Sequence, residues 1–263
     1  MHAQNLSLSN VGRIFYGIAI AETGFQTIYS RDFPYMLLPP NHVSIPGLVL
    51  LASISGILFV LAGACIVFNK KARPISLLSG SMFLLIFCFY YVPYEFMATS
   101  NYLHFGEWEN AAKELALTGG AFVIAGCFPG KNENSLFRFL GKLIPYGTIV
   151  FSTTIISFGI NHFLYAKDAA GYMLSWIPNH LFWIYFTGSA LLGSGIAIIL
   201  KIKTGLIAAL LGTMIFTWFI ILHVPKVIAA PVADRADEVT SAFLALAYSG
   251  IAFVIAGVAK MRA

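Results

Sequence analysis

Apolar residues run along this chain in blocks of about the length a helix needs to cross a bilayer, roughly 20 residues. Short polar segments separate them. Eight such blocks can be drawn: Val11–Tyr29, Gly47–Phe68, Ile75–Val92, Ala111–Phe128, Ile144–Tyr165, Ile177–Leu200, Leu206–His223 and Thr240–Ala259. No block shows strand alternation, and each is too long for a barrel strand of about 10 residues. The pattern predicts an all-α polytopic membrane protein of eight transmembrane helices. The block from Ala111 is the least apolar, because Lys113 and Glu114 lie near its start.

Composition agrees with lipid as the solvent. The chain is 59% hydrophobic and 10% charged, where a soluble domain carries about 25% charge. Three cysteines are scattered without a C-x-x-C pair, which argues against a disulfide framework or a dithiol centre. The net charge of +5 resides in loops. In such a chain basic loops set topology before they suggest nucleic acid, and no nucleic-acid partner is expected.

Eight spans place Arg31, Lys113, Lys167, Lys226 and Arg235 on one side and the rest of the 16 Lys and Arg on the other. Most acidic residues lie with the smaller group. The positive-inside rule then puts both termini in the cytoplasm. The opening apolar run lacks a preceding basic region and a small-residue cleavage site, so it is expected to be a retained helix.

The sequence also repeats. FVIAG occurs at Phe122–Gly126 and again at Phe253–Gly257. Gly80-Ser81-Met82 and Val92-Pro93 match Gly212-Thr213-Met214 and Val224-Pro225. Pro40-Asn41-His42 matches Pro178-Asn179-His180. These matches predict two four-helix repeats, residues 1–129 and 142–263, joined by a cytoplasmic linker, 130–141. An even number of spans per repeat makes the two parallel.

Candidate chemistry gathers at the Lys-poor ends of the spans. His162, His180 and His223 each lie where an apolar run meets a polar loop. His180 shares a helix face with Trp183, with Trp176 and Asn179 a turn earlier, and His162 shares one with Tyr165. Gln26 and Tyr29 take the places of His162 and Tyr165 in the first repeat, and His42 and Tyr91 those of His180 and His223. Glu22 lies near the middle of its span, about 13 Å from either end at 1.5 Å per residue. An acid at that depth marks a functional site or a helix-to-helix bond. As a protonated donor or a proton relay it extends the stripe of Gln26 and Tyr29 inward. Glu95, after Pro93, is expected in a solvated loop. Ser189 and Gly193, flanked by Gly188 and Gly195, are expected to let helices approach closely. No H-x-x-x-H or H-E-x-x-H supports a metal site.

Several of these segments resemble the DoxX-like membrane proteins. The resemblance rests on Gly12-Arg13 with Gly17, on FGINHF (158–163), WIPNHLFWIYFTG (176–188), LHVP (222–225) and ALAYSGIAFVIAG (245–257). It covers the second repeat throughout and the first more loosely. A usual family unit has four spans, so this chain looks like two fused units. The resemblance implies a bacterial inner-membrane protein. Some members are subunits of thiosulfate:quinone oxidoreductase, and others accompany redox or oxidative-stress complexes.

The functional expectation is a quinone-linked or redox-associated subunit with an outward-facing pocket. His162, His180 and His223 would bond or protonate the quinone oxygens, since His exchanges protons near neutral pH. Trp176, Trp183 and Tyr165 would stack on the ring, and Glu22, Gln26 and Tyr29 would line the cavity from the first repeat. Beyond the bilayer, the expected partners are a quinone or small amphipathic ligand and a redox protein. A small-solute transporter and a scaffold subunit without chemistry are the alternatives.

Overall fold

The computed structural model describes residues 2–39, 46–97, 103–130 and 133–262. It is all-helical, with no strand among the described residues. Six helical stretches are long and apolar enough to cross a membrane: Leu48–Val67, Ala72–Met97, Ser135–Leu164, His180–Ile199, Thr204–Ala229 and Arg235–Lys260. The first and fourth expected spans do not join them. Helix α1 (His2–Ser30) carries Arg13 and Glu22 within its apolar run, and α5 (Glu109–Ala125) has only 17 residues.

The remaining helices are α2 (Leu48–Val67), α3 (Ala72–Ile86), α4 (Val92–Met97), α6 (Ser135–Leu140), α7 (Gly147–Leu164), α8 (Ala166–Gly171), α9 (His180–Ile199), α10 (Thr204–Trp218), α11 (Val224–Ala229) and α12 (Arg235–Arg262). The principal helices form a closed circuit of neighbours. From α1 it runs through α2, α3, α5, α7, α9, α10 and α12 and back to α1, and α5 touches α12 across the middle. Helix α12 is the most enclosed of the six, with 83% of its apolar stretch inside, against 17% for the stretch begun by α10.

Backbone contact explains the tightest pairings. A Cβ on Gly12 would meet Gly250 O at 2.2 Å, and one on Gly119 would meet Gly147 O at 2.8 Å. So α1 lies on α12, and α7 on α5, at a separation only glycine permits. Gly188 and Gly195 do the same for α9 against α7. The expected partners Ser189 and Gly193 do not. Ser189 is exposed, and nothing lies within 4 Å of a Cβ on Gly193.

Two stretches share one build. Ala72–Ile86, a π-helical turn Phe87–Tyr91 and Val92–Met97 have 15, 5 and 6 residues. Thr204–Trp218, a π turn Phe219–His223 and Val224–Ala229 have the same three lengths. The prolines account for the wide turns. Pro93 and Pro225 lack an N–H, and their rings crowd the carbonyl four residues back. The chain widens instead: Val92 N–H bonds Phe87 O and Val224 N–H bonds Phe219 O, five residues back. Helix therefore continues past each proline, where a loop was expected. Glu95 accordingly sits in α4 and is buried, not solvated. The turns entering α3 and α10 also correspond, with Asn69 and Lys71, then Lys201 and Lys203, all left-handed.

Basic side chains cap one end of the bundle. Arg13 donates to the carbonyls of Ile66 and, at 2.7 Å, Val67, at the end of α2. Arg73 donates to Ala125 O at the end of α5 and to Phe128 O beyond it, and pairs with Glu133 at 2.6 Å. Carbonyls at the end of a helix have spare acceptor capacity and carry the negative end of its dipole, so cations suit them. The Arg73 hydrogen bond holds the Glu133 carboxyl below its ordinary range.

Candidate functional site

A cavity of about 700 Å³ opens among α5, α7, α9, α10 and α12, lined at its mouth by His104, Gly106, Glu107 and Tyr172. Its volume falls within the range of small-molecule sites, roughly 300–1,000 Å³. Aromatic and aliphatic groups dominate its walls: Phe158, Trp183, Leu191, Met214, Trp218 and Tyr248. Trp183 on α9 meets Trp218 on α10 edge to face, with ring centres 5.9 Å apart.

Two polar groups in this wall have buried atoms without a partner. Asn161 on α7 is 8% exposed, and neither its carboxamide oxygen nor its nitrogen is hydrogen-bonded. His223 ends the π turn, and its Nδ1 is buried and unbonded. An unsatisfied buried polar group costs about 1–3 kcal/mol. A third group has a settled tautomer. His162 Nδ1 lies 2.8 Å from Phe158 O. A carbonyl only accepts, so Nδ1 carries the proton and Nε2 of the neutral ring is an acceptor.

The rim is tied together by two clusters. In one, Gly106 N–H donates to Tyr165 Oη at 3.1 Å, and Tyr165 O–H lies 3.1 Å from His104 Nε2. In the other, Tyr172 O–H donates to Glu238, whose second oxygen pairs with Lys226 at 3.2 Å. Lys226 also donates to Tyr172 O at 3.1 Å. Burial, reinforced by the Glu238 carboxylate, pushes the Tyr172 phenol above its usual range. Deeper in, Lys113 pairs with Glu109 at 3.0 Å, and Tyr248 O–H donates to Lys113 O at 3.1 Å.

Of the residues expected from sequence, His162, His223, Tyr165 and Trp183 line this cavity. The others lie elsewhere. His180 bonds Leu174 O at 3.1 Å and, with Asn179, borders a shallow surface dent. A helix start faces a loop carbonyl there, and this holds the ring away from α7. Trp176 is 61% exposed in the loop before it. Gln26 is turned to α12, donating to Ala236 O at 2.7 Å and accepting from Thr240 at 2.7 Å. Tyr29 is 83% exposed and stacks on Phe25. Tyr91 is fully buried and donates to Tyr35 O. Glu22 is partly buried on α1 and does not line the cavity. His42 lies outside the described residues.

The residues that sequence reasoning missed are Asn161, Lys113, His104, Tyr172 and Tyr248. Asn161 had a signal, because a carboxamide inside an apolar run carries the same cost as the histidine beside it. Tyr172 and His104 lie in loops whose fold no periodicity reports. Among the described residues no group of three His, Cys, Asp or Glu side chains is placed to hold a metal ion. No family model, curated protein or solved structure matches this chain.

Proposed function

We propose that this chain is a multi-pass membrane protein of the DoxX-like type that binds a quinone, or a similar ring-bearing lipid-soluble molecule, in the cavity between α7, α9 and α10. One observation carries the reading. An otherwise aromatic and aliphatic hollow holds an unpartnered carboxamide and an unpartnered imidazole nitrogen in its walls. A flat ring with polar oxygens answers both features. It stacks against aromatic faces, and its oxygens take the hydrogen bonds that the protein leaves open. Asn161 and His223 then orient the ring, and His162 Nε2 accepts a proton from a hydroxylated form. Electrons come from a redox partner of this subunit.

The same reading takes the chain as two parallel four-span repeats, with α1 and α5 as the additional spans. Helix α5 is buried along most of its length, and α1, exposed on one face at Ile18, Phe25 and Tyr29, turns Arg13 onto the carbonyls that end α2. The matched lengths of the π-turn stretches support the duplication. So do the glycine pairs, because Gly12 on Gly250 corresponds to Gly147 on Gly119. That register aligns Gln26 with Asn161 and not with His162. The excess of Lys and Arg at the capped end supports termini in the cytoplasm of a bacterial inner membrane and a cavity facing outward.

The test is a titration of the purified protein with a short-chain quinone, read by quenching of tryptophan fluorescence. Trp183 and Trp218 border the site and report directly. Saturable quenching in the native chain, weakened about tenfold or more in an Asn161→Ala, His223→Phe double variant, is the expected result. Equal quenching in both rejects the site.

A further inference from the structure

Glu107 and Asp168 line the mouth of the cavity, and both are exposed. Neither makes an ion pair or a side-chain hydrogen bond. Lys167, beside Asp168, is exposed and does not line the cavity, and Lys113 and Lys226 are already committed. Lys113 is held by Glu109 at 3.0 Å and by Asn110 Oδ1 at 3.1 Å. Lys226 is held by Glu238 at 3.2 Å and by Tyr172 O at 3.1 Å. The inner wall then offers neutral groups: the Asn161 carboxamide, the His162 acceptor nitrogen and the His223 ring. An anion entering here meets two uncompensated carboxylates at the rim and, among the described residues, no free cation inside. Both work against it, since a buried charge without a partner is strongly disfavoured. A neutral molecule meets neither obstacle, and a cationic one is drawn to the rim.

From this juxtaposition, and resting on the ring-binding reading above, we infer that the cavity selects by charge: it accepts neutral and cationic ring-bearing amphiphiles and rejects anionic ones of the same shape. Glu107 and Asp168 act as the specificity-determining pair. Rejection is built from repulsion at the mouth and from the lack of a counter-charge within, as in other sites that discriminate by what they disfavour.

The experiment uses three anthraquinone probes of one ring system bearing a hydroxymethyl, a trimethylammonium-methyl or a sulfonate substituent. Each is titrated into the full-length protein in one non-ionic detergent, at low and high salt. Thr187 on α9 also lines the cavity, and a Thr187→Phe variant, which fills it, gives the background from detergent partitioning. The neutral and cationic probes are expected to bind about tenfold or more tighter than the sulfonate. In the Glu107→Gln, Asp168→Asn double variant the gap narrows to a few-fold. High salt narrows the native gap as well, because exposed charges are screened within about 10 Å at 0.1 M. Equal affinity of the native protein for the neutral and sulfonate probes overturns the inference but leaves ring binding standing. An unchanged gap in the double variant also overturns it. Binding of no probe above background overturns both.

Discussion

Asn161 on α7 and His223 at the end of the second π turn face one cavity from two different helices, and each has a buried polar atom that no described residue satisfies. Gln26 shows what satisfaction looks like. One methylene longer, and in the register that aligns it with Asn161, it reaches α12 and bonds both Ala236 O and Thr240 Oγ1. Asn161 has no such partner among the described residues. Asn161→Gln is therefore expected to bond across to α5, raise the melting temperature of the lipid-stripped protein and lose quinone binding. Paired thermal and fluorescence measurements on this one variant check both halves.

Pro225 is the second determinant of the site. It forces the wide turn that places His223 in the wall. Pro225→Ala permits an ordinary α-helical turn, which advances about 100° per residue. The ring then leaves the cavity. Ligand affinity should fall as far as in His223→Phe, while helix content by circular dichroism stays unchanged.

The glycine contacts make a packing prediction with an internal control. Gly250→Ala places a methyl against Gly12 O at 2.5 Å and should destabilise the protein by roughly 1–3 kcal/mol. Gly193→Ala meets nothing within 4 Å and should leave stability unchanged or slightly raised. Thermal unfolding in detergent separates the two.

At the basic end, the Arg73–Glu133 pair links stability to pH. Glu133 has its pKa held down by Arg73, so its stabilisation is full above the ordinary carboxylate range. It is lost as pH falls through the lowered value. Between about pH 7 and pH 3 the native protein should lose stability that Glu133→Gln never had, so the difference between their melting temperatures shrinks as pH falls.

Much of the architecture was legible from hydrophobic runs, because apolar length alone separates a spanning helix from other elements. The apolar blocks from Val11 and Ala111 were read as spans too, yet α1 and α5 are not among the helices long and apolar enough to cross. Their polar groups are taken up within the bundle: Arg13 turns onto the carbonyls that end α2, and Glu114 is buried. Past Pro93 and Pro225 the rule that proline ends a helix failed, since a π turn absorbs the clash. The site was half legible. His162, His223, Tyr165 and Trp183 stood out as polar or aromatic breaks in apolar runs. Asn161 was hidden beside a more conspicuous histidine. His180 misled because its ring is used by a loop carbonyl, a contact that sequence does not display.

The most direct test of the account is native mass spectrometry of the detergent-solubilised protein, with its lipid extract identified by fragmentation. One neutral ring-bearing molecule per chain is expected, absent from the Asn161→Gln variant purified in parallel. A native chain that carries no such molecule, and takes none up when a quinone is supplied in excess, would contradict it.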